Sequence, residues 1–110
     1  MIKYQSSLDD VFHALADPGR RAIVERLTRG PASVSELAEP LPMSLPAVMQ
    51  HLRVLDEAGL TVSEKRGRVR WRRLNSERLA AAEDWIAGRR RLWESRLDAL
   101  DRHLRSQIET

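Results

Sequence analysis

The apolar residues of this chain depart from helical spacing in one stretch, between residues 60 and 74. Before that stretch, apolar side chains recur every three or four positions, as they do along one face of a helix. From Leu60 onward they alternate with polar residues, and Val69 and Trp71 stand between arginines. Alternation on both sides of Gly67 predicts a β-hairpin with its turn near that glycine. The chain is therefore expected to fold as helices around one short pair of strands.

Four helical segments precede the hairpin, and most of them have a suitable capping residue. The pattern predicts helices over residues 7–16, 17–29, 33–39 and 44–58. Asp17, Ser33 and Ser44 are suited to N-cap positions, and Ser7 is the candidate for the first helix. Glu36 follows Ser33 by three residues, which predicts a capping box.

The segment from Ser76 to about residue 106 predicts one long amphipathic helix. A body of this size cannot cover the whole apolar stripe, which favours contact with a second copy of the chain. Trp85 widens the stripe and fits a core position or an interface position equally well. The stripe residues predicted for a dimer interface are Ile86, Trp93, Leu97, Leu100 and Leu104. The predicted fold is mainly α with a small β-hairpin, in the order α-α-α-α-β-β-α, in a single domain over residues 1–110.

The composition excludes several classes of function. The chain has no cysteine, so disulfides, thiolate metal sites and thiol redox chemistry are excluded. His13, His51 and His103 are far apart in sequence, so no local cluster suggests a metal or a cofactor. No apolar run approaches the roughly 20 residues that cross a bilayer, and the first residues lack a signal-peptide pattern. A cytoplasmic protein without a cofactor is expected.

The net charge of +3 is concentrated in the middle of the chain. Residues 44–73 carry seven basic and three acidic side chains, whereas the segments on either side are close to neutral. Between Lys65 and Arg73, six of the nine residues are basic and none is acidic. A short hairpin cannot bury these groups without partners, so they are expected on the surface. An anionic partner such as a DNA backbone fits this patch, and a plain solvated face is the alternative.

Residues 33–58 have the arrangement of a helix-turn-helix, with a short turn over 40–43. In that motif the second helix enters the major groove and its first residues contact base edges. Gln50 can pair with a base, ideally adenine, whereas Leu45 and Met49 offer apolar contact only. A helical hairpin used only for packing is the alternative for this motif taken alone. The predicted DNA-binding residues are Ser44, Leu45, Pro46, Met49, Gln50, His51 and Arg53 on the helix, and Lys65, Arg66, Arg68 and Arg70 on the hairpin.

Three stretches of the chain carry a resemblance to a known family. They are residues 44–60 (SLPAVMQHLRVLDEAGL), Ala14–Pro18 with Arg20 and Arg21, and the basic run that ends in Val69-Arg70-Trp71. Together they resemble the ArsR/SmtB transcriptional repressors over nearly the whole chain. The resemblance implies a homodimeric winged helix-turn-helix protein that binds an operator with imperfect two-fold symmetry. The helix-turn-helix then spans about 33–58, the wing about 60–74 and the dimerisation helix about 76–106.

The resemblance also bears on the dimer interface and on metals. It implies that the first and last helices form the interface, with Leu8 and Phe12 contributing from the first. Family members that sense metals through the third helix carry cysteines there, where this chain has Ser35-Glu36-Leu37-Ala38. Asp101 and His103 are a weak counterpart of the zinc ligands in other members, because no second histidine follows them. No metal site is predicted, and a small-molecule effector, if there is one, is unidentified.

The recognition helix departs from many relatives, because Leu45, Pro46 and Met49 stand where small polar residues are common. Sequence recognition then depends more on Gln50, the wing and DNA shape. His51 is common in the family, and the sequence leaves two roles open for it, orienting the helix or contacting phosphate. A protein–protein adaptor that keeps the fold but no longer binds DNA is the alternative function. An enzyme is not predicted, because the chain has no nucleophile beside a base, no phosphate-binding glycine loop and no pair of carboxylates beside a histidine.

Overall fold

The computed structural model describes residues 2–109, and the side chains from residue 8 onward, as five helices and three strands. The helices are α1 (Ile2–Leu15), α2 (Pro18–Leu27), α3 (Val34–Ala38), α4 (Leu45–Glu57) and α5 (Ser76–Glu109), and the strands are β1 (Ala32–Ser33), β2 (Thr61–Arg66) and β3 (Val69–Leu74). The predicted class, mainly α with a small β-hairpin in a winged helix-turn-helix arrangement, is confirmed.

Short polar side chains cap three of the helices, as the sequence predicts. Asp17 accepts a hydrogen bond from the backbone N–H three residues on (3.1 Å), and Ser44 does the same (3.3 Å). At the start of α3, the Glu36 N–H donates to the Ser33 hydroxyl, which donates in turn to the Glu36 carboxylate, both at 3.2 Å. These bonds satisfy donors that a helix N-terminus leaves without partners.

The first and last helices are longer than predicted. α1 begins at Ile2, so Ser7 lies within the helix and does not start it, and its side chain lies outside the described part of the chain. α5 continues to Glu109, beyond the predicted end near residue 106. In both places the sequence contains no glycine or proline to interrupt a helix.

The sheet of the described residues has three strands in the order β1-β3-β2, where the sequence predicts two. β1 pairs antiparallel with β3, with Ala32 opposite Arg72 and Ser33 opposite Trp71. A strand of two residues is too short to show alternation, which is why the pattern does not reveal it. The predicted turn is confirmed, because Gly67 lies between β2 and β3 with φ of 64°, a conformation that favours glycine.

The core lies among α1, α2, α3, α4 and the start of β2. Its largest fully buried side chains are Val11, Ile23, Leu37, Val48, Leu52, Leu55 and Leu60. α5 adds Ala82 to this core and then leaves the body, since every residue from 89 to 109 is exposed. With 34 residues α5 is about 51 Å long. Within residues 2–109, no helix has both the length and the apolar character needed to cross a membrane.

Candidate nucleic-acid interface

α4 is fixed to the body along one face. Val48, Leu52 and Leu55 are fully buried at intervals of three or four residues, and α3 packs against the same helix. Residues 39–44 form the turn between the two helices, and Ser44 is exposed with its hydroxyl used in capping α4. Because one side of α4 is held in the core, its opposite side faces solvent.

The solvent side of α4 carries most of the predicted DNA-contacting residues. Leu45 and Met49 are 55% and 42% exposed, although both are large apolar side chains. Pro46, Gln50 and Arg53 are exposed beside them. Within the described residues, Gln50 and Arg53 have no side-chain hydrogen bond or ion pair. The solvent side of α4 is therefore free to enter a groove of DNA.

We call β2, β3 and the turn between them the wing (residues 61–74). The predicted wing residues Lys65, Arg66, Arg68 and Arg70 are all exposed. Arg70 Nη1 lies 3.5 Å from the hydroxyl of Ser63. In the described part of the chain, Lys65, Arg68 and Arg70 have no carboxylate partner, so three cations remain available to an anion.

Glu64 reduces the positive charge of the wing. Its carboxylate lies 3.2 Å from Arg73 Nε and 3.4 Å from Arg66 Nη2. The hydrogen bond from Arg73, and then that from Arg66, holds the pKa of Glu64 below its ordinary value against the opposing effect of desolvation. The sequence prediction counted only the acid-free run after Glu64. In the hairpin register, Glu64 opposes Trp71, which brings Arg73 to the diagonal position on the same face.

Arg72 contradicts the prediction that all the wing guanidinium groups lie on the surface. The residue is 6% exposed, and its Nε and Nη2 donate to the two oxygens of Asp56 at 3.3 and 3.2 Å. Asp56 lies in the last turn of α4 and also accepts the hydroxyl proton of Thr61. Because this pair is bidentate and charge-assisted, it joins the recognition helix directly to the wing.

His51 is the predicted site residue whose side chain faces the protein body. Its Nδ1 lies 3.5 Å from Arg20 Nη1, and its Nε2 lies 3.8 Å from the carboxylate of Asp17. The hydrogen bond from the backbone N–H of Arg20 holds the pKa of Asp17 below its ordinary value, and desolvation opposes this. The ring therefore lies against the N-terminus of α2.

The apolar stripe of α5 is exposed in the single chain. The predicted interface residues Ile86, Trp93, Leu97, Leu100 and Leu104 are between 43% and 61% exposed. Leu8 and Phe12 on α1 are half-buried, and the Phe12 ring packs edge-on against Trp85 with the centroids 5.9 Å apart. Ile108, which is 83% exposed, extends the stripe, and the sequence prediction missed it because the predicted helix ended too early.

No metal centre is formed by the described residues. Among them, no group of three or more His, Asp or Glu side chains is arranged to hold a metal ion. Asp101 pairs with Arg105 on the same helix at 3.2 Å, and His103 is exposed.

Comparison with known proteins agrees with this geometry. A family of helix-turn-helix domains matches residues 15–64. The HTH-type transcriptional regulator Rv2034 of Mycobacterium tuberculosis is 51% identical over 81 residues, which cover 74% of this chain and 75% of that protein. The transcriptional repressor SdpR of Bacillus subtilis is 29% identical over 79 residues, which cover 72% of this chain and 88% of that protein.

Solved structures show the same relationship. The crystal structure of an ArsR family transcriptional regulator has a TM-score of 0.77 and 47% identity, and the match covers 83% of this chain and 94% of that one. An ArsR-like transcriptional regulator from Rhodococcus sp. RHA1 has a TM-score of 0.76 and 34% identity, with 87% and 91% covered. The fold and its exposed surface define a winged helix-turn-helix transcriptional regulator that binds DNA and is not an enzyme. The chain belongs to the ArsR/SmtB family.

Proposed function

We propose that this chain is a homodimeric repressor that binds a near-palindromic operator through α4 and the wing. The observation that carries the proposal is the pairing of Asp56 with Arg72, which joins the exposed face of α4 to the unpaired cations of the wing. The helix that enters the DNA groove and the cations that contact the flanking DNA phosphates are then connected within one surface. The name of SdpR as a repressor supports repression as the mode of regulation.

We assign the predicted residues to two kinds of DNA contact. Gln50 would recognise a base through its paired donor and acceptor, and Leu45 and Met49 would contact thymine methyl groups. Arg53 and the wing cations would contact phosphates, which position the protein without selecting a sequence. The whole of residues 1–110 would act as one DNA-binding domain, with α5 as its dimerisation helix.

The proposed dimer follows from the exposed α5 stripe. A continuous row of large apolar side chains over a helix of 34 residues is an unusual surface for a monomer. Contact between two such stripes, with α1 alongside, would bury it. The two α4 helices must then lie about 34–36 Å apart, one turn of DNA, to reach successive major grooves.

Replacing Arg68 by alanine is expected to reduce the salt dependence of DNA binding. Each lost phosphate contact lowers the slope of log affinity against log salt by roughly one unit for each subunit. The measurement is fluorescence anisotropy with a labelled duplex between 50 and 200 mM salt. Arg105→Ala is the matched control, because Arg105 is an exposed arginine on α5, remote from the wing. An unchanged slope for Arg68→Ala would remove this residue from the contact surface.

Replacing Gln50 by alanine is expected to change sequence preference more than affinity for random DNA. A bidentate contact between an amide and adenine contributes about 1–3 kcal/mol of discrimination against the wrong base. The measurement is binding to operators that carry all four bases at each position. Discrimination should fall at one position of each half-site, whereas Arg68→Ala should weaken all the sequences equally. Loss of affinity without any change in preference would contradict the base contact.

Genomic footprinting of the bound protein tests the proposed function as a whole. A near-palindromic site in the footprint would support both dimerisation and operator binding. No binding to any duplex at low salt, together with a stable protein partner, would favour the adaptor instead.

A cytoplasmic location stays a prediction, because a repressor must be where the DNA is. A small-molecule effector, which the sequence leaves open, would act by releasing the DNA.

A further inference from the structure

We propose that His51 is a positioning residue for DNA binding, which fixes α4 to the N-terminus of α2 and does not itself contact DNA. This inference rests on the proposed function, because it assigns a role within operator recognition. The sequence places His51 with the predicted DNA-contacting residues and leaves two roles open for it, orienting the helix or contacting phosphate, of which the first is proposed.

The position of His51 on α4 brings it to the side of the helix that meets α2. Successive helix residues are separated by about 100°, so His51 lies between exposed Gln50 and buried Leu52. α2 approaches the His51 side chain closely at Gly19. A Cβ on Gly19 would lie 3.1 Å from His51 Nε2 and 3.0 Å from Asp17 Oδ2, tighter than ordinary contacts. Glycine at this position permits α2 to come within reach of the imidazole.

Both ring nitrogens of His51 face polar groups of α2. A guanidinium can only donate hydrogen bonds, so the Nδ1 that lies 3.5 Å from Arg20 Nη1 must be the acceptor. The ring proton of neutral His51 is then on Nε2, which faces the Asp17 carboxylate at 3.8 Å. This tautomer follows from the arrangement of partners. With both nitrogens directed at α2, no ring N–H is left to donate to a phosphate.

Arg20 is itself held in place by the end of α1. Its Nε donates to the carbonyl oxygen of Ala14 at 2.8 Å, and its Nη2 donates to that of His13 at 3.2 Å. Asp17 is fixed as the N-cap of α2. His51 therefore connects α4 to two groups that are already anchored, and this adds a polar restraint to the core packing that fixes the rotation of α4 and so the direction of Gln50.

The substitution Asp17→Asn separates the two possible roles by the sign of its effect. Asparagine is as good an N-cap as aspartate, so α2 should keep its start. If Asp17 were only an anion near the DNA, its removal would strengthen binding to phosphates. If Asp17 positions α4 through His51, loss of the negative charge that faces the ring N–H should weaken binding, because asparagine keeps the capping oxygen but not the charge.

The experiment compares wild type, Asp17→Asn, His51→Ala, His51→Gln and the double variant Asp17→Asn/His51→Ala on the operator. Each of the two single changes Asp17→Asn and His51→Ala should weaken binding about tenfold, and the double variant by about the same factor instead of a hundredfold. His51→Gln keeps one acceptor and one donor and should restore most of the affinity. The salt slope should stay that of wild type, whereas the control Arg53→Ala should lower it by about one unit for each subunit. Amide hydrogen exchange in α4 should be faster in Asp17→Asn and His51→Ala and unchanged in Arg53→Ala.

Three results would overturn the positioning role. Asp17→Asn could bind the operator as tightly as wild type or more tightly, the two losses could multiply in the double variant, or His51→Ala could lower the salt slope by about one unit for each subunit. Failure of the wild-type chain to bind any duplex at low salt would instead reject the proposed function. In that case amide hydrogen exchange is the remaining test of the positioning role. Unchanged exchange of α4 in both Asp17→Asn and His51→Ala would reject that role.

Discussion

A chain carrying both Trp93→Glu and Leu100→Glu is expected to be monomeric and to bind its operator about 10²–10⁴-fold more weakly than wild type. The two side chains are 61% and 53% exposed, so the single chain can fold with glutamate at both positions. In a dimer the same carboxylates would be buried in an apolar contact without partners, which is strongly unfavourable. A monomer presents one α4 to the DNA, so the second half-site no longer binds as an intramolecular event.

Analytical ultracentrifugation measures the mass of this variant, and anisotropy measures its affinity for the full operator and for a half-site. Ser95→Glu is the control for the effect of an added carboxylate, because it places one glutamate at an exposed α5 position away from the stripe. The control should stay dimeric and bind as wild type does. A double variant that remains a dimer would show that the interface lies elsewhere on the chain.

Replacing Asp56 by alanine is expected to lower the free energy of unfolding by about 3 kcal/mol, near the low end of the range for breaking a buried ion pair. The Arg72 side chain is 8% exposed, so the substitution leaves a charge in the interior without its partner. The Thr61 hydroxyl loses its acceptor at the same time. Arg72 Nη1 is already buried without a hydrogen-bond partner among the described residues, so no nearby protein group compensates. Urea unfolding followed by circular dichroism at one protein concentration gives the value.

The double replacement Asp56→Leu/Arg72→Met is the control for this prediction. Removing both charges and filling the space with apolar atoms is often neutral or stabilising for a buried pair. The double variant should therefore recover most of the stability that Asp56→Ala loses. A loss of less than 1 kcal/mol in Asp56→Ala would mean that water reaches Arg72 and that the pair is not a buried one.

The features that could be predicted from the sequence depend on neighbours in the chain. The caps at Asp17, Ser33 and Ser44 need only the next three residues, and the turn at Gly67 needs only the two strands beside it. The exposed face of α4 follows from the period of its apolar residues. These local rules are enough to predict the class of the fold and the order of the elements other than β1.

The features that sequence reasoning missed depend on residues far apart in the chain. Asp56 and Arg72 are 16 positions apart, and Arg20 and His51 are 31 apart, so no spacing rule relates them. A count of charges identifies the basic wing but cannot show that Arg72 is buried or that Glu64 pairs with both Arg66 and Arg73. The strand β1 is missed for another reason, because its pairing with β3 is determined by tertiary packing.

The pairing of Asp56 with Arg72 also limits how binding could be regulated. Because α4 and the wing are joined at this point, a force on one is transmitted to the other, and the DNA-contacting surface of each subunit responds as a rigid body. An effector that acts on α5 would then leave each surface intact and change only the distance and angle between the two. In such a dimer, the effector would regulate binding by changing whether the distance between the two DNA-contacting surfaces matches the helical repeat of DNA. The affinity of each subunit for an isolated half-site would not change.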